Sequence, residues 1–308
     1  MKQCRLCGST QLNHLFTAQN IHGRHVFGQE QFPIIQCTQC MVAATDISPD
    51  EAYYSKYYKD DYYTSIQLFG IMKNICKYMK KQVFKNRLQL IRAYAPRAEK
   101  ILEIGCGMGD FLRFLNASYK CSGIEINSKA CEYIRMNYPD IAVFDKRIDN
   151  DSFKADELAK YECIVMWHVL EHIEHPRIFI ENLTKMLVND GVVIFSIPNR
   201  NSIGFRLTKK WWFHLDAPRH LFHYNYDAIK KLFDQNVWEI ELTKASKLEY
   251  LQDLGRSVYE SLKTNISLWD KIIFVFIVPI FTVIRLLVSC VSPLNAEIST
   301  YVIRKTSN

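Results

Sequence analysis

From residue 100 onward the chain alternates short apolar strands with short helices, and that rhythm leaves few folds open. "KILEIG" reads as a strand, "DFLRFLNASY" as a helix, "CSGIEI" as a second strand and "SKACEYIRMNY" as a second helix. "IAVFD" is a weaker strand and "YECIVMWHVL" a strong one, followed by the helix "PRIFIENLTKML", the turn "NDG" and the strand "VVIFSIPN". Strands and helices in this order call for a parallel sheet with helices on both faces. In such sheets a ligand sits beyond the carboxyl ends of the strands.

The loop after the first strand, "GCGMGD", has glycines at 105, 107 and 109 and an aspartate at 110. Glycine lets the backbone turn tightly and approach a ligand closely. A dinucleotide would rest its pyrophosphate on the amides that open the next helix. Here the spacing is GxGxG, not GxGxxG, and two carboxylates flank the turn, Glu103 before it and Asp110 after it. They suit a ligand that is cationic at that end, an ammonium or a sulfonium, and S-adenosylmethionine is such a ligand. Sixteen residues past Gly109, Glu125 ends the second strand, where a carboxylate can accept both ribose hydroxyls. That position serves either nucleotide.

At 308 residues, 48% hydrophobic and 23% charged, the chain has material for a sizeable core and about two domains. The net charge of +7 permits contact with anionic lipid or nucleic acid without demanding either. "MKQCRLCGST" has no apolar h-region, so no secretory signal is read and a cytoplasmic location is expected. Ten cysteines in that setting mean reduced thiols or metal ligation. Four are organised: "CRLC" supplies Cys4 and Cys7, and "CTQC" supplies Cys37 and Cys40. Two CxxC knuckles offer four thiolates to a tetrahedral zinc and leave no position for water, so the zinc is read as structural. A module this small would draw its folding energy from the metal. The cysteines at 76, 106, 121, 131, 163 and 290 show no usable spacing and read as small buried side chains.

"DEAYYSKYYKDDYYTS", residues 50–65, contains six tyrosines. It reads either as an amphipathic helix with a half-buried tyrosine face or as a lid over a ligand. Residues 66–95 read as one long helix that Pro96 ends. Further on, "WWFHLDAPRHLFHY", residues 211–224, packs five aromatics, three histidines, Asp216 and Arg219 into fourteen positions. Such a stretch is a flap that buries its own rings with Arg219 paired to Asp216, a substrate wall, or both.

"ILEIGCGMGDFL", "GIEIN", "VMWHVLEHIEHP" and "GVVIFSIPN" are similar to the successive motifs of class I S-adenosylmethionine-dependent methyltransferases, in the branch that includes quinone-biosynthesis enzymes. The likeness runs from about residue 100 to 243 and resumes at "EISTYVIRK". The aromatic flap and the cysteine-rich start resemble a narrower bacterial group with an N-terminal zinc module, whose members often serve sugar or cell-envelope biosynthesis. The resemblance implies a Rossmann-like α/β sheet with helices on both faces (residues 99–243 and 297–308), behind a small zinc-ribbon-like module (1–48) and a helical lid or linker (49–98). An apolar helical insertion (244–296) precedes the last strand. By the same resemblance Glu103, Gly105 and Gly107 would hold the methionine part of the cofactor, Glu125 and Ile126 the ribose side, and Ile148 and Asp149 the adenine, with His168 also lining the site. Two departures stand out: "FDKRIDNDSF" follows the family only loosely, and Glu162 stands where aspartate is usual.

The methyl acceptor should then bind beside the end of the fourth strand, from which His168, Glu171 and His172 emerge. The spacing is not HExxH, so a catalytic zinc is discounted. The bland reading of Glu171 and His172 is a hydrogen-bonding pair that orders the corner. If the acceptor is a hydroxyl, His220 is the expected general base, with His168 next, since histidine titrates near working pH.

"IIFVFIVPIFTVI", residues 272–284, is uncharged and is followed by Arg285 and "LLVSCVSPL". A spanning helix needs about 20 apolar residues. This run contains Pro279, and both its ends return to the same domain, so a single span is not expected. A buried or interface helix is one reading. The favoured one is peripheral membrane contact through 272–291 at the inner face of the membrane, with Arg256, Lys263 and Lys271 for anionic headgroups. Two functions from different classes follow: a methyltransferase acting on a small or lipid-linked saccharide, with a phenolic or quinone-like acceptor as runner-up, or a non-enzymatic zinc-ribbon protein that binds nucleic acid. The second needs basic residues around the cysteines. Between Cys7 and Cys37 only Arg24 is a fixed positive charge, which disfavours nucleic acid.

Overall fold

The structure, a computed structural model, describes residues 3–21, 30–58, 71–244, 247–262 and 267–305. Arg24, Tyr62, Tyr63, Lys263 and residues 66–70, which figure in the readings above, lie outside them. Near the N-terminus β1 (Leu12–Gln19), β2 (Gln31–Cys37) and β3 (Ala43–Thr45) form an antiparallel sheet. The tyrosine-rich segment opens with α1 (Glu51–Tyr57), capped by Asp50, whose Oδ1 accepts the Tyr53 N–H at 2.7 Å. Helix α2 (Ile71–Tyr94) follows and stops two residues before Pro96.

The alternating core then runs β4 (Lys100–Ile104), α3 (Asp110–Leu115), β5 (Lys120–Glu125), α4 (Ser128–Asn137), β6 (Ala142–Asp145), β7 (Tyr161–Trp167), α5 (Pro176–Met186) and β8 (Leu187–Pro198). After it come α6 (Ile203–Thr208), β9 (Phe222–His223), α7 (Tyr226–Leu232), β10 (Trp238–Lys244), α8 (Asp253–Leu262), α9 (Ser267–Val291) and β11 (Ile298–Lys305). The seven-stranded sheet has the order β10-β11-β8-β7-β4-β5-β6. Strands β8, β7, β4, β5 and β6 are parallel, and β11 is antiparallel to both its neighbours. Alternation along β7 shows why the sheet is buried on both sides. Cys163 and Val165 join a cluster with Ile91, Phe111 and Leu112, while Ile164 and Met166 join Phe179, Leu183 and Phe195 on the other face. Glu162, the departure noted above, accepts the Lys100 N–H at 2.7 Å and so ties β7 to β4.

Some local readings change. Helix α3 ends at Leu115, short of the expected Tyr119, and the chain tightens there into a turn in which the Ser118 N–H reaches the Leu115 carbonyl, three residues back, at 2.8 Å. "NDG" is not a break: β8 begins at Leu187 and carries it as a bulge, with Asp190 at φ 60°. The insertion carries two helices, α8 and α9, and its apolar run lies wholly within α9, with Pro279 inside it. The buried-helix reading fails there, since Val275, Phe276, Ile280, Val283 and Leu287 are all more than half exposed. The N-terminal sheet also has a fourth strand from far along the chain. β9, in the aromatic flap, pairs with β3 through Ala43–His223 and Ala44–Phe222.

Candidate functional site

After Ile104 the chain turns through Gly105, Gly107 and Gly109, all in the left-handed region at φ 69°, 53° and 75°. A Cβ on Gly105 would stand 2.5 Å from Val169 Cγ2, so this turn and the exit of β7 fit only without a side chain there. Just before the turn, Glu103 is buried, and its Oε2 has no hydrogen-bond partner among the described residues. Burial outweighs nearby Arg87 and pushes its carboxyl up to about 8.

Strand β5 ends at Glu125. Its Oε2 accepts the Gly107 N–H at 2.8 Å, and its Oε1 accepts the N–H groups of Ile126 (2.9 Å) and Asn127 (3.0 Å). Three backbone donors lock this carboxylate in place and tie it to the glycine turn. Gly105, Glu125, Ile126, Ile148, Asp149 and His168 all line one cavity of about 1040 Å³ at the carboxyl ends of β4, β5 and β7. Glu103 and Gly107 line an adjoining cavity of about 430 Å³ that shares Gly105, Trp167, His168 and Tyr250 with it. The expected cofactor residues are thus gathered around two joined spaces. Asp149 is already engaged: it receives Arg147 at 3.1 and 3.2 Å and the Glu174 N–H at 2.9 Å.

His168 leaves β7 at φ 58°, its N–H bonded to the Ser196 carbonyl at 2.9 Å. Its ring lies between Glu171 (Nδ1–Oε1 3.5 Å) and Glu249 (Nε2–Oε1 3.9 Å). Burial works to lower its pKa, but the two carboxylates prevail and raise it to about 9. That balance favours the protonated ring at neutral pH, so His168 would have to give up its proton before it could act as the expected base. Glu249 in turn holds Arg87, which stacks 4.3 Å from the Trp167 ring centre.

His220 differs. Its Nδ1 lies 2.8 Å from the His214 carbonyl, which makes Nδ1 the N–H and leaves the lone pair on Nε2. Burial and the nearby His172 ring hold it neutral, at about 3. His172 likewise sets Nδ1 3.0 Å from the Arg219 carbonyl. The flap both buries its own rings and forms the wall. Trp212 is fully buried and donates to Glu297 at 2.7 Å, Arg219 meets Asp216 at 2.8 Å, and Asp216, Arg219 and His220 line the cavity. From α1 and its end, Tyr53 and Tyr57 pack inward, while Tyr54 and Tyr58 line the same cavity. The Tyr58 hydroxyl lies 3.0 Å from His172 Nδ1 and donates to the Arg219 carbonyl at 3.3 Å.

Arg87, Arg147, Glu249 and Tyr250 belong to the site but carry no motif, and Glu174 lies within "VMWHVLEHIEHP" without standing out there. Glu249 and Tyr250 come from an unpatterned stretch, "KLEYLQDL", and only the fold brings them to the end of β7.

At the N-terminus, Cys4, Cys7, Cys37 and Cys40 converge, with Cys4 Sγ 3.6 Å from Cys40 Sγ and Cys7 Sγ 3.5 Å from Cys37 Sγ. These separations are far too long for disulfides and close to the edge of roughly 3.8 Å of a tetrahedron with 2.3 Å zinc–sulfur bonds. The four thiols fit zinc.

Residues 75–242, more than half of the chain, match the family described as "Methyltransferase domain". Among curated proteins, the chain is similar to a ubiquinone biosynthesis O-methyltransferase of Paraburkholderia phytofirmans, 31% identical over 121 residues (37% of this chain, 51% of that protein). It is also similar to the enzyme of the same name from Thiobacillus denitrificans, 26% identical over 128 residues (39% and 54%). The chain therefore spans about half the length of the curated relatives it matches. Among solved structures, a phosphoethanolamine N-methyltransferase of Haemonchus contortus, in complex with phosphomonomethylethanolamine and S-adenosylhomocysteine, shares the fold at a TM-score of 0.50 and 11% identity, over 96% of this chain and 68% of that one.

Proposed function

This chain belongs to the methyltransferase-domain family, and from that premise we propose that it moves a methyl group from S-adenosylmethionine to a hydroxyl of a small or lipid-linked saccharide. The observation that carries the cofactor is Glu103, a buried carboxylate at the lip of the glycine turn with an oxygen unpartnered among the described residues. A buried polar group without a partner is costly, and an ammonium group of a ligand would satisfy this one. In the adjoining space Glu125, fixed by three backbone donors, takes ribose hydroxyls, and Ile126, Ile148 and Asp149 frame the base.

When bound, S-adenosylmethionine supplies a methyl group whose bond to sulfur breaks, the electron pair staying on sulfur, as the acceptor oxygen forms its own bond to carbon. The protein's share is to hold the oxygen in line and to remove its proton. His220 presents the Nε2 lone pair that receives the proton, and buried cationic His168 adds positive charge beside the acceptor.

A saccharide suits a cavity that combines flat rings, Tyr54, Tyr58 and Phe213, with polar groups at Asp216, Arg219 and Glu174. A phenolic acceptor is the second reading, favoured by the ubiquinone O-methyltransferase relatives. The exposed apolar face of α9 supports peripheral contact with the inner face of the membrane, where a lipid-linked acceptor would be met. The four-cysteine module is read as a structural zinc site.

The test is calorimetric titration of the protein with S-adenosylmethionine and, separately, with NAD, repeated on Glu125→Ala. Micromolar binding of the first alone, weakened by the substitution, supports the reading and justifies screening sugars and phenols with labelled methyl donor. NAD binding would sink it.

A further inference from the structure

We propose that Glu171, His172 and His220 form a binding site for a divalent transition-metal ion in the wall of the large cavity. One donor atom from each of the three lies within 4.8 Å of the other two. Glu171 and His172 come from the turn after β7, while His220 arrives on the flap, held there by the bond from the Leu221 N–H to the Glu171 carbonyl at 2.8 Å.

The surroundings are those of ligands waiting for a cation. Both histidines spend Nδ1–H on backbone carbonyls, His172 on Arg219 at 3.0 Å and His220 on His214 at 2.8 Å. That is the outer hydrogen bond that fixes tautomer and ring orientation in metal-bound histidines, and it leaves a lone pair on each Nε2. Glu171 is 1% exposed, and neither carboxylate oxygen has a hydrogen-bond partner among the described residues. Its nearest charge is the His168 ring at 3.5 Å, beyond hydrogen-bonding contact. Donor atoms of all three residues thus converge in one place, and the one cationic ring beside them, His168, stands to the side of Glu171 without a hydrogen bond to it.

Two imidazoles and one carboxylate suit zinc, manganese, iron or cobalt, and three protein ligands leave positions open for an exogenous oxygen. His172 and His220 both line the cavity, so those positions face the acceptor. This is unlike the cysteine cluster, where four thiolates close the site. The adjacent Glu171–His172 pair is not a metal motif in sequence, because the third ligand, His220, is supplied by the flap. If the methyl-transfer reading holds, the ion draws the acceptor hydroxyl into its open position and lowers its pKa. His220 is then a ligand and no longer the base, so the proton leaves to solvent as the oxygen takes the methyl group. Ion binding itself does not depend on that reading.

The full chain, its cysteine site first filled with zinc, is titrated with Co²⁺, followed by visible absorption and by metal content after gel filtration. The expected result is one additional ion per chain with weak ligand-field bands and no new thiolate charge-transfer band. Glu171→Gln and His220→Ala should each weaken it by more than about tenfold, the size that even outer partners of metal ligands command, with the zinc retained. A zinc-filled wild-type chain that takes up no second ion overturns the proposal, as do variants that bind it as tightly as wild type. S-adenosylmethionine titration of the same wild-type sample separates the two readings: normal cofactor binding with no second ion sinks the metal site alone.

Discussion

Arg285, on the apolar helix α9, donates through Nε to Asp253 Oδ1 at 2.6 Å, and both side chains are almost completely buried. The other oxygen of Asp253 meets His214 Nε2 at 2.8 Å, and His214 lines the large cavity. A second arm of Arg285 reaches the carbonyl of Lys247 at 2.9 Å, and a third the carbonyl of Glu249. One guanidinium thus bolts an outward-facing apolar helix to the segment that walls the site. Arg285→Leu would leave the Asp253 charge buried without its cation. A loss of about 3–5 kcal/mol in denaturant unfolding is expected, and replacing Asp253 by leucine as well should recover part of it.

Glu103 makes cofactor affinity depend on pH. Its carboxyl, raised to about 8 in the free protein, is protonated at neutrality, whereas a cationic ligand group binds the ionised form. Binding therefore releases a proton below that pKa. Affinity for S-adenosylmethionine should rise by up to about tenfold per pH unit between about pH 6 and about pH 7.5. It should turn over above about pH 8, where the ligand's own ammonium loses its proton. Titration calorimetry in buffers of different ionisation enthalpy reads the proton directly, and in Glu103→Gln the rise should vanish.

Gly105→Ala asks whether the turn tolerates a side chain. The left-handed backbone costs a non-glycine residue about 1–3 kcal/mol, and the added Cβ meets Val169 Cγ2 at 2.5 Å. Cofactor binding should fall together with melting temperature. Val169→Ala in the same chain removes the contact but not the backbone strain, so rescue should be partial.

Removing the metal from the cysteine cluster should be felt at the flap. β9 is the fourth strand of the N-terminal sheet, and Thr45 Oγ1 donates to the His220 carbonyl at 2.7 Å. In Cys37→Ser, amides of β3 and β9 should lose hydrogen-exchange protection together while those of β4 and β7 keep theirs. Retained protection at Phe222 and His223 would show that the flap holds its shape alone.

The exposed face of α9 can be tested without touching the site. Val275, Phe276 and Val283 are 62%, 64% and 56% exposed, so aspartate at each should shift stability by no more than about 0.5 kcal/mol. Cosedimentation with phosphatidylglycerol vesicles should fall sharply in the triple variant. If the wild-type chain does not sediment with such vesicles, membrane contact is wrong.

Local pattern made much of this protein legible. Strand–helix alternation, the Gly105–Gly109 spacing and the two CxxC pairs are near-neighbour features. Period, turn geometry and thiol chemistry act over a few residues, so the parallel sheet, the tight turn and the thiol cluster could be read before any coordinates. Even Glu125 was placed, because a strand end is a fixed distance from the loop before it.

What sequence could not supply is everything that depends on two distant segments meeting. Glu249 and Tyr250 reach the site from an unmarked stretch, and the final bearing of His168 depends on Glu171 and Glu249 together. His220 read as a base in one dimension, yet beside Glu171 and His172 it has the setting of a ligand. Charge and lone-pair energies are set by neighbours within a few ångströms, whatever their separation along the chain. Spacing can therefore propose the residues of a site, but the packing of the flap against the sheet decides their chemistry.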